Sequence, residues 1–185
     1  MTSKKIAPEG IRKLKFKTDA GLGSRANIGM IVLSSDQTLE LEFRTLLNIE
    51  GVALYHARIP NEMEITEGTL AQMEAELPIT ASLLPTSFNI DVIGYGCTSG
   101  TTVIGENQVT KGIRAAHPGI LVTNPLTACK AALSALRLKR IAFLTPYKPA
   151  ITKAMRDNLM EEGIEIPLTA SFYESDDFVV GRITS

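Results

Sequence analysis

From residue 27 onward, apolar runs of four to eight residues alternate with longer stretches in which apolar positions recur at helical spacing. The short runs at 28–33, 52–57, 92–95, 120–122, 141–144 and 165–169 are rich in Ile, Val and Leu and predict strands. The stretches at 39–47, 66–84, 108–116, 125–136 and 149–162 predict helices, the last of them ending at Gly163, a residue suited to a helix stop. Strict alternation of this kind predicts parallel strands covered by helices on both faces. In such sheets ligands bind beyond the carboxyl ends of the strands. That rule gathers Ser34, Ser35 and Asp36, then Cys97, Thr98 and Ser99, and finally Tyr147, at the ligand-binding ends of their strands.

The segment Asp91-Val-Ile-Gly-Tyr-Gly-Cys97-Thr-Ser-Gly-Thr101 carries the strongest chemical signal. It sets a thiol where an apolar strand runs out into glycines, which let the backbone turn sharply and approach a ligand. Thr98, Ser99, Thr101 and Thr102 then supply hydroxyls and free N–H groups ahead of a helix expected over roughly 104–116. The start of a helix offers partial positive charge and unpaired donors, which lower a thiol pKa and hold a carboxylate. Cys97 is therefore the candidate nucleophile. The competing reading is a small buried hydrophobe.

Four segments, in order, resemble the aspartate/glutamate racemase superfamily, most closely its maleate isomerase and arylmalonate decarboxylase branch. They are Ile28-Gly-Met-Ile-Val-Leu-Ser-Ser-Asp36, the Gly-Tyr-Gly-Cys97-Thr-Ser-Gly-Thr run, Ile141-Ala-Phe-Leu-Thr-Pro-Tyr147 and Asp176-Asp-Phe-Val-Val-Gly-Arg182. The resemblance implies two flavodoxin-like parallel-sheet α/β domains, the first over 26–123 and the second, incomplete in this chain, over 124–185; a basic extension over 1–25 is set apart by its composition. It implies an isomerase or racemase-like enzyme without metal or organic cofactor, acting on a small carboxylate or amino acid. Cys97 would attack the substrate, Thr98 and Ser99 would cradle a carboxylate, and Tyr147 would donate its phenol across the cleft. Asp36 and Asp177 fall at substrate-binding positions where asparagine is usual in maleate isomerases. A carboxylate accepts where an amide can donate, so a ligand with an ammonium, amide or hydroxyl at one end suits Asp36 better than a simple dicarboxylate. Asp36 reads equally as a helix cap before Leu39. The loop at 34–36, Tyr55-His-Ala-Arg-Ile-Pro60 and the run at 70–78 resemble ectoine-utilisation proteins of the same superfamily. The decarboxylase branch carries glycine in place of the first cysteine, so Cys97 weighs against that alternative. Relatives continue into elements bearing a partner cysteine, and no such motif precedes Ser185, so half of a two-cysteine site is expected here. A carboxylate-binding module that has lost the chemistry is the remaining alternative.

Composition narrows the classes further. With 44% hydrophobic residues in 185, the chain can bury a full core. A net charge of -1 argues against a nucleic-acid or membrane-surface role. The basic residues that do cluster, Lys4, Lys5, Arg12, Lys13, Lys15 and Lys17, form an arm read as a loosely docked extension. No apolar run is long enough to span a bilayer, and two cysteines without a dense spacing pattern point to a reducing cytoplasm. A homo-oligomer stays open. His56, His117 and Cys129 are read as structural.

Overall fold

The computed structural model describes residue 11 and residues 13–184. Lys4, Lys5 and Arg12 of the basic arm lie outside the described residues, whereas Lys13, Lys15 and Lys17 are exposed. Thirteen elements follow in the order β1 (Ala26–Leu33), α1 (Leu39–Leu46), β2 (Val52–Ile59), α2 (Glu67–Ala81), β3 (Val92–Tyr95), α3 (Thr98–Ile104), α4 (Glu106–Ala116), β4 (Leu121–Thr123), α5 (Pro125–Ala135), β5 (Arg140–Tyr147), α6 (Pro149–Glu161), β6 (Glu165–Glu174) and α7 (Asp177–Val180).

The strands form two parallel sheets. The first has the order β2-β1-β3-β4 and the second pairs β5 with β6. β1 is central, with Ile31 opposite Ala57 on one side and Tyr95 on the other. Its inner face packs Ile31 and Leu33, with Ile59, Ile93 and Tyr95 of its neighbours, against Leu70, Met73 and Leu77 of α2 and Val109 and Ile113 of α4. Gly112 brings α4 close to α2, since a Cβ there would lie 2.9 Å from that of Leu77. Ile151 and Met155 of α6 join the same core, and Phe143, Tyr147 and Val180 pack against it, so the two sheets share one hydrophobic cluster. The opposite face of the first sheet looks into a hollow of ≈ 450 Å³ between α1 and α5, lined by Ile28, Met30, Phe43, Leu47, Val92 and Ala128 among others.

Local signals account for most element ends. Thr66 caps α2 by accepting from the Thr69 N–H, and the Thr69 hydroxyl accepts in return from the Thr66 N–H. Asn124 accepts from the Thr127 N–H ahead of Pro125 at the start of α5. Gly163, with φ of 78°, stops α6. The pairing of β5 and β6 slips twice, between Arg140 and Ala142 and again between Thr145 and Tyr147. Pro167, which has no N–H to give to a ladder, sits at the first slip, and Tyr173, with φ of 61°, at the second.

Two helices differ from expectation. The hydroxyl-rich stretch after Cys97 is itself helix α3 rather than a loop ahead of a later helix, and a short α7 follows Asp176. Thr and Ser are weak helix formers because their hydroxyls compete for backbone groups. In α3 that competition is absorbed within the helix: the Thr101 hydroxyl donates to the Cys97 carbonyl at 2.7 Å and that of Thr102 to the Thr98 carbonyl at 2.9 Å. Those two hydroxyls are thereby engaged within the helix rather than offered to a ligand. Among the described residues no helix is long and apolar enough to cross a membrane.

Candidate active site

β3 delivers the chain to Cys97, which is the N-cap of α3 in extended conformation. Its Sγ accepts from the Gly100 N–H at 3.2 Å and lies 3.6 Å from the Ser99 Oγ. The turn tolerates no bulk: a Cβ on Gly100 would lie 2.5 Å from the Tyr95 hydroxyl and 2.9 Å from the Cys97 Sγ. A Cβ on Gly96 would meet the Leu39 side chain at 2.5 Å. Cys97 is 3% exposed and Ser99 4%. The N–H groups of the first turn of a helix have no carbonyl partner inside it, which leaves donors beside the thiol.

A cleft of ≈ 190 Å³ opens here. Ser35 and Asp36 line it from the loop after β1, Cys97, Thr98 and Ser99 from the β3–α3 turn, Tyr147 from the end of β5 and Asp177 from α7. Asp36, Cys97, Thr98, Ser99, Tyr147 and Asp177 therefore line one cleft, together with Ser35, whereas Ser34 stands outside it. The larger apolar hollow shares only Gly96 with it and carries no nucleophile or titratable side chain apart from the buried Tyr95 phenol.

The second sheet contributes through a network that sequence reasoning missed. The Tyr147 carbonyl accepts from the hydroxyls of Thr152, at 3.0 Å, and Ser171, while Thr145 and Thr152 pair at 2.6 Å in the interior. These bonds fix the end of β5 and with it Tyr147. Burial raises the Tyr147 phenol to about 12, aided by the negative charge of a Cys97 thiolate and of Asp177 and opposed by the Ser99 hydroxyl. It stays a donor at neutral pH. Asp177 is brought in by the return of the chain to the β2–α2 loop, where Ile65 N–H donates to the Ser175 carbonyl at 2.8 Å and Asp177 N–H to that of Met63 at 2.9 Å. Asp176 caps α7 and so leaves Asp177 to face the cleft.

The loop at 34–36 is held from two sides. Arg58 donates to the carbonyls of Leu33, Ser34 and Asp36 and to Glu40. Asn61, also missed, accepts from Ser34 Oγ and Ser35 N and donates to Ser35 Oγ, whose hydroxyl donates to Asp177. Asp36 lines the cleft and is not itself the N-cap of α1, which is Thr38; from two residues earlier its Oδ1 accepts from the N–H groups of Thr38 and Leu39 at 2.8 Å each. Burial lifts the Asp177 carboxyl above its usual range; the Ser35 hydroxyl works the other way, and Asp36 and Asp176 add to the rise.

One expectation reverses. The helix start and its donors argue for a lowered thiol pKa, but burial dominates and pushes Cys97 above its ordinary 9.0, against the opposing pull of Ser99, Gly100 and Tyr95. The resting side chain is a neutral thiol, and thiolate is generated only as pH climbs. Iodoacetamide labelling of Cys97, followed by peptide mass spectrometry, is thus expected to accelerate about tenfold per pH unit through neutrality with no plateau before the ordinary thiol range is passed. A plateau near neutral pH would mean that the helix start outweighs burial.

His56, His117 and Cys129 do not line the cleft. His117 Nε2 lies 2.9 Å from the Ala81 carbonyl oxygen, and Cys129 packs beside Leu133, Leu159 and Ile164. Among the described residues no group of three or more His, Cys, Asp or Glu is placed to hold a metal ion.

No protein-family model matches the chain. Individual proteins do. The chain is 28% identical over 167 residues to the maleate isomerase of Pseudomonas putida, covering 84% of this chain and 66% of that protein. It thus spans about two thirds of the length of the curated relatives it matches. Its fold superposes with a TM-score of 0.76, at 25% identity, on a cysteine-to-serine mutant of the Nocardia farcinica maleate cis-trans isomerase with a covalently bound succinylcysteine intermediate, over 86% of this chain and 69% of that one. Arylmalonate decarboxylase shares the fold at a TM-score of 0.59 and 19% identity, over 80% and 63% of the two chains.

Proposed function

Since the chain belongs to the aspartate/glutamate racemase superfamily, in the branch of maleate isomerases and arylmalonate decarboxylases, we propose that it is a cofactor-independent isomerase or racemase-like enzyme acting on a small carboxylate or amino acid. The observation that carries this reading is the Cys97 thiol, sequestered at the start of α3 and lining one cleft with Ser99, Tyr147 and Asp177. In it the first α/β unit, 26–123, supplies the nucleophile and the second, 124–185, supplies the tyrosine and Asp177.

On an unsaturated acid the Cys97 thiol first gives its proton to water, and the thiolate so formed adds to one alkene carbon. A C–S bond forms, the π pair moves into the adjacent carboxylate as an enediolate, and the former double bond turns as a single bond. Return of the pair re-forms the double bond in the trans geometry and expels the thiolate. Thr98 and Ser99 hold the carboxylate on which charge collects, and Tyr147, kept protonated by its raised pKa, donates to it from the second sheet. On a saturated amino acid the Cys97 thiolate instead takes the α-proton, and the pair of the broken C–H bond moves into the carboxylate as an enediolate. Both routes need Cys97 as a free thiol, which suits a reducing cytoplasm. A place in ectoine catabolism draws support from the resemblance of the 34–36, 55–60 and 70–78 segments to ectoine-utilisation proteins.

Proton NMR in D2O tests the reading. With maleate, maleamate, aspartate and phenylmalonate in turn, at least one is expected to show cis-to-trans conversion, deuteration beside the carboxylate or loss of CO2. Unchanged spectra for all four, with binding still visible by calorimetry, would leave a carboxylate-binding module in place of an enzyme.

A further inference from the structure

Taking the cleft to be a carboxylate-processing site, as proposed above, we infer that its substrate carries a carboxylate at one end only and, at the other, a nitrogen group that donates hydrogen bonds to Asp177. Two observations support this.

The first is the direction of the hydrogen bonds that end on Asp177. Asn61 Oδ1 takes the Ser35 backbone N–H at 3.2 Å, and its Nδ2 gives to the Glu62 carbonyl at 3.1 Å. A backbone N–H can only donate and a carbonyl only accept, so the orientation of this amide is fixed by its neighbours. The same Nδ2 gives to the Ser35 Oγ at 2.8 Å. With its oxygen accepting from Asn61, Ser35 directs its own hydrogen to Asp177. Asp177 is thus set as an acceptor, and a ligand group meeting its remaining lone pairs has to donate. Each neighbouring carboxylate has one oxygen committed to a helix start, Asp36 Oδ1 to the N–H groups of Thr38 and Leu39 and Asp176 Oδ1 to those of Phe178 and Val179.

The second is the charge of the walls. Among the described residues the cleft is lined by Asp36 and Asp177 and by no lysine, arginine or histidine. The nearby guanidinium, Arg58, is turned onto backbone carbonyls and Glu40. A second substrate carboxylate at this end would meet like charge with no cation to offset it, whereas a carboxamide or ammonium would meet an acceptor.

Calorimetric titration with succinate and succinamate decides the matter, because the two differ only in the group at one end and neither has a double bond for the thiol to attack. Succinamate is expected to bind the wild-type chain about tenfold or more tighter than succinate, and Asp177→Asn to erase or invert that preference. Equal or tighter binding of succinate by the wild type, or a preference that survives Asp177→Asn, overturns the assignment of Asp177. Should the variant fail to fold, the wild-type comparison still decides. Failure of both ligands to bind would instead remove the carboxylate-site reading itself, together with the assignment resting on it.

Discussion

Replacing Cys97 by serine is expected to lower turnover by at least about three orders of magnitude while leaving the fold in place. Cys97 has two jobs, since its sulfur caps α3 through the Gly100 N–H and also faces the cleft. Serine is a good N-cap and keeps the first job. It is a poor nucleophile at its free pKa, and among the described residues no histidine or lysine lines the cleft to take its proton. Alanine removes both jobs and adds the loss of a cap, worth about 1 kcal/mol. Comparing the two variants by thermal melting and by proton NMR turnover separates capping from chemistry. Substantial turnover in the serine variant would take Cys97 out of the covalent step.

Gly100→Ala is the other change with a large expected effect. In a helix the exchange of Gly for Ala ordinarily gains up to about 1 kcal/mol of propensity. Here the added Cβ would lie 2.5 Å from the Tyr95 hydroxyl and 2.9 Å from both the Cys97 Sγ and the Met73 Cε. Tyr95 is fully buried, with its hydroxyl against the Met73 sulfur at 3.6 Å, so it has little room to withdraw. Overpacking of this kind costs about 1–3 kcal/mol, which exceeds the propensity gain. A net fall in stability is expected in chemical denaturation, accompanied by loss of activity as the thiol is displaced from the Gly100 N–H. A melting midpoint and turnover both equal to wild type would show that the turn around the thiol is looser than its contacts imply.

The alternation of short apolar runs with helical stretches is enough to read the sheet strands, and Gly163 marks the end of α6 because a helix stop depends on adjacent residues. The helix at Thr98–Ile104 was not legible as a helix. Its Thr and Ser content argues against one, and the bonds that reconcile them with helix run from side chains to carbonyls four residues back. Cys97 was legible as the reactive candidate, but the direction of its pKa was not, because a local motif shows donors and does not show burial. Asn61 escaped for a related reason, and so did the partner of Ser35. The bond from Ser35 to Asp177 joins residues 142 positions apart, and no spacing rule connects them. Thr145, Thr152 and Ser171 likewise look like ordinary strand and helix residues until the second sheet folds them around the Tyr147 carbonyl.

The second slip in the pairing of β5 and β6 acquires its meaning at this point. Between the pairs Thr145–Ser171 and Tyr147–Glu174, β6 advances one residue more than β5, and Tyr173 takes up the difference in a left-handed conformation. Two aspartates follow at once, one capping a helix turn and the other facing the thiol's cleft. Their assignment is set by phase: the extra residue acts as a frame marker, so that which carboxylate faces the cleft is written in the length of a strand and not in the identity of either side chain.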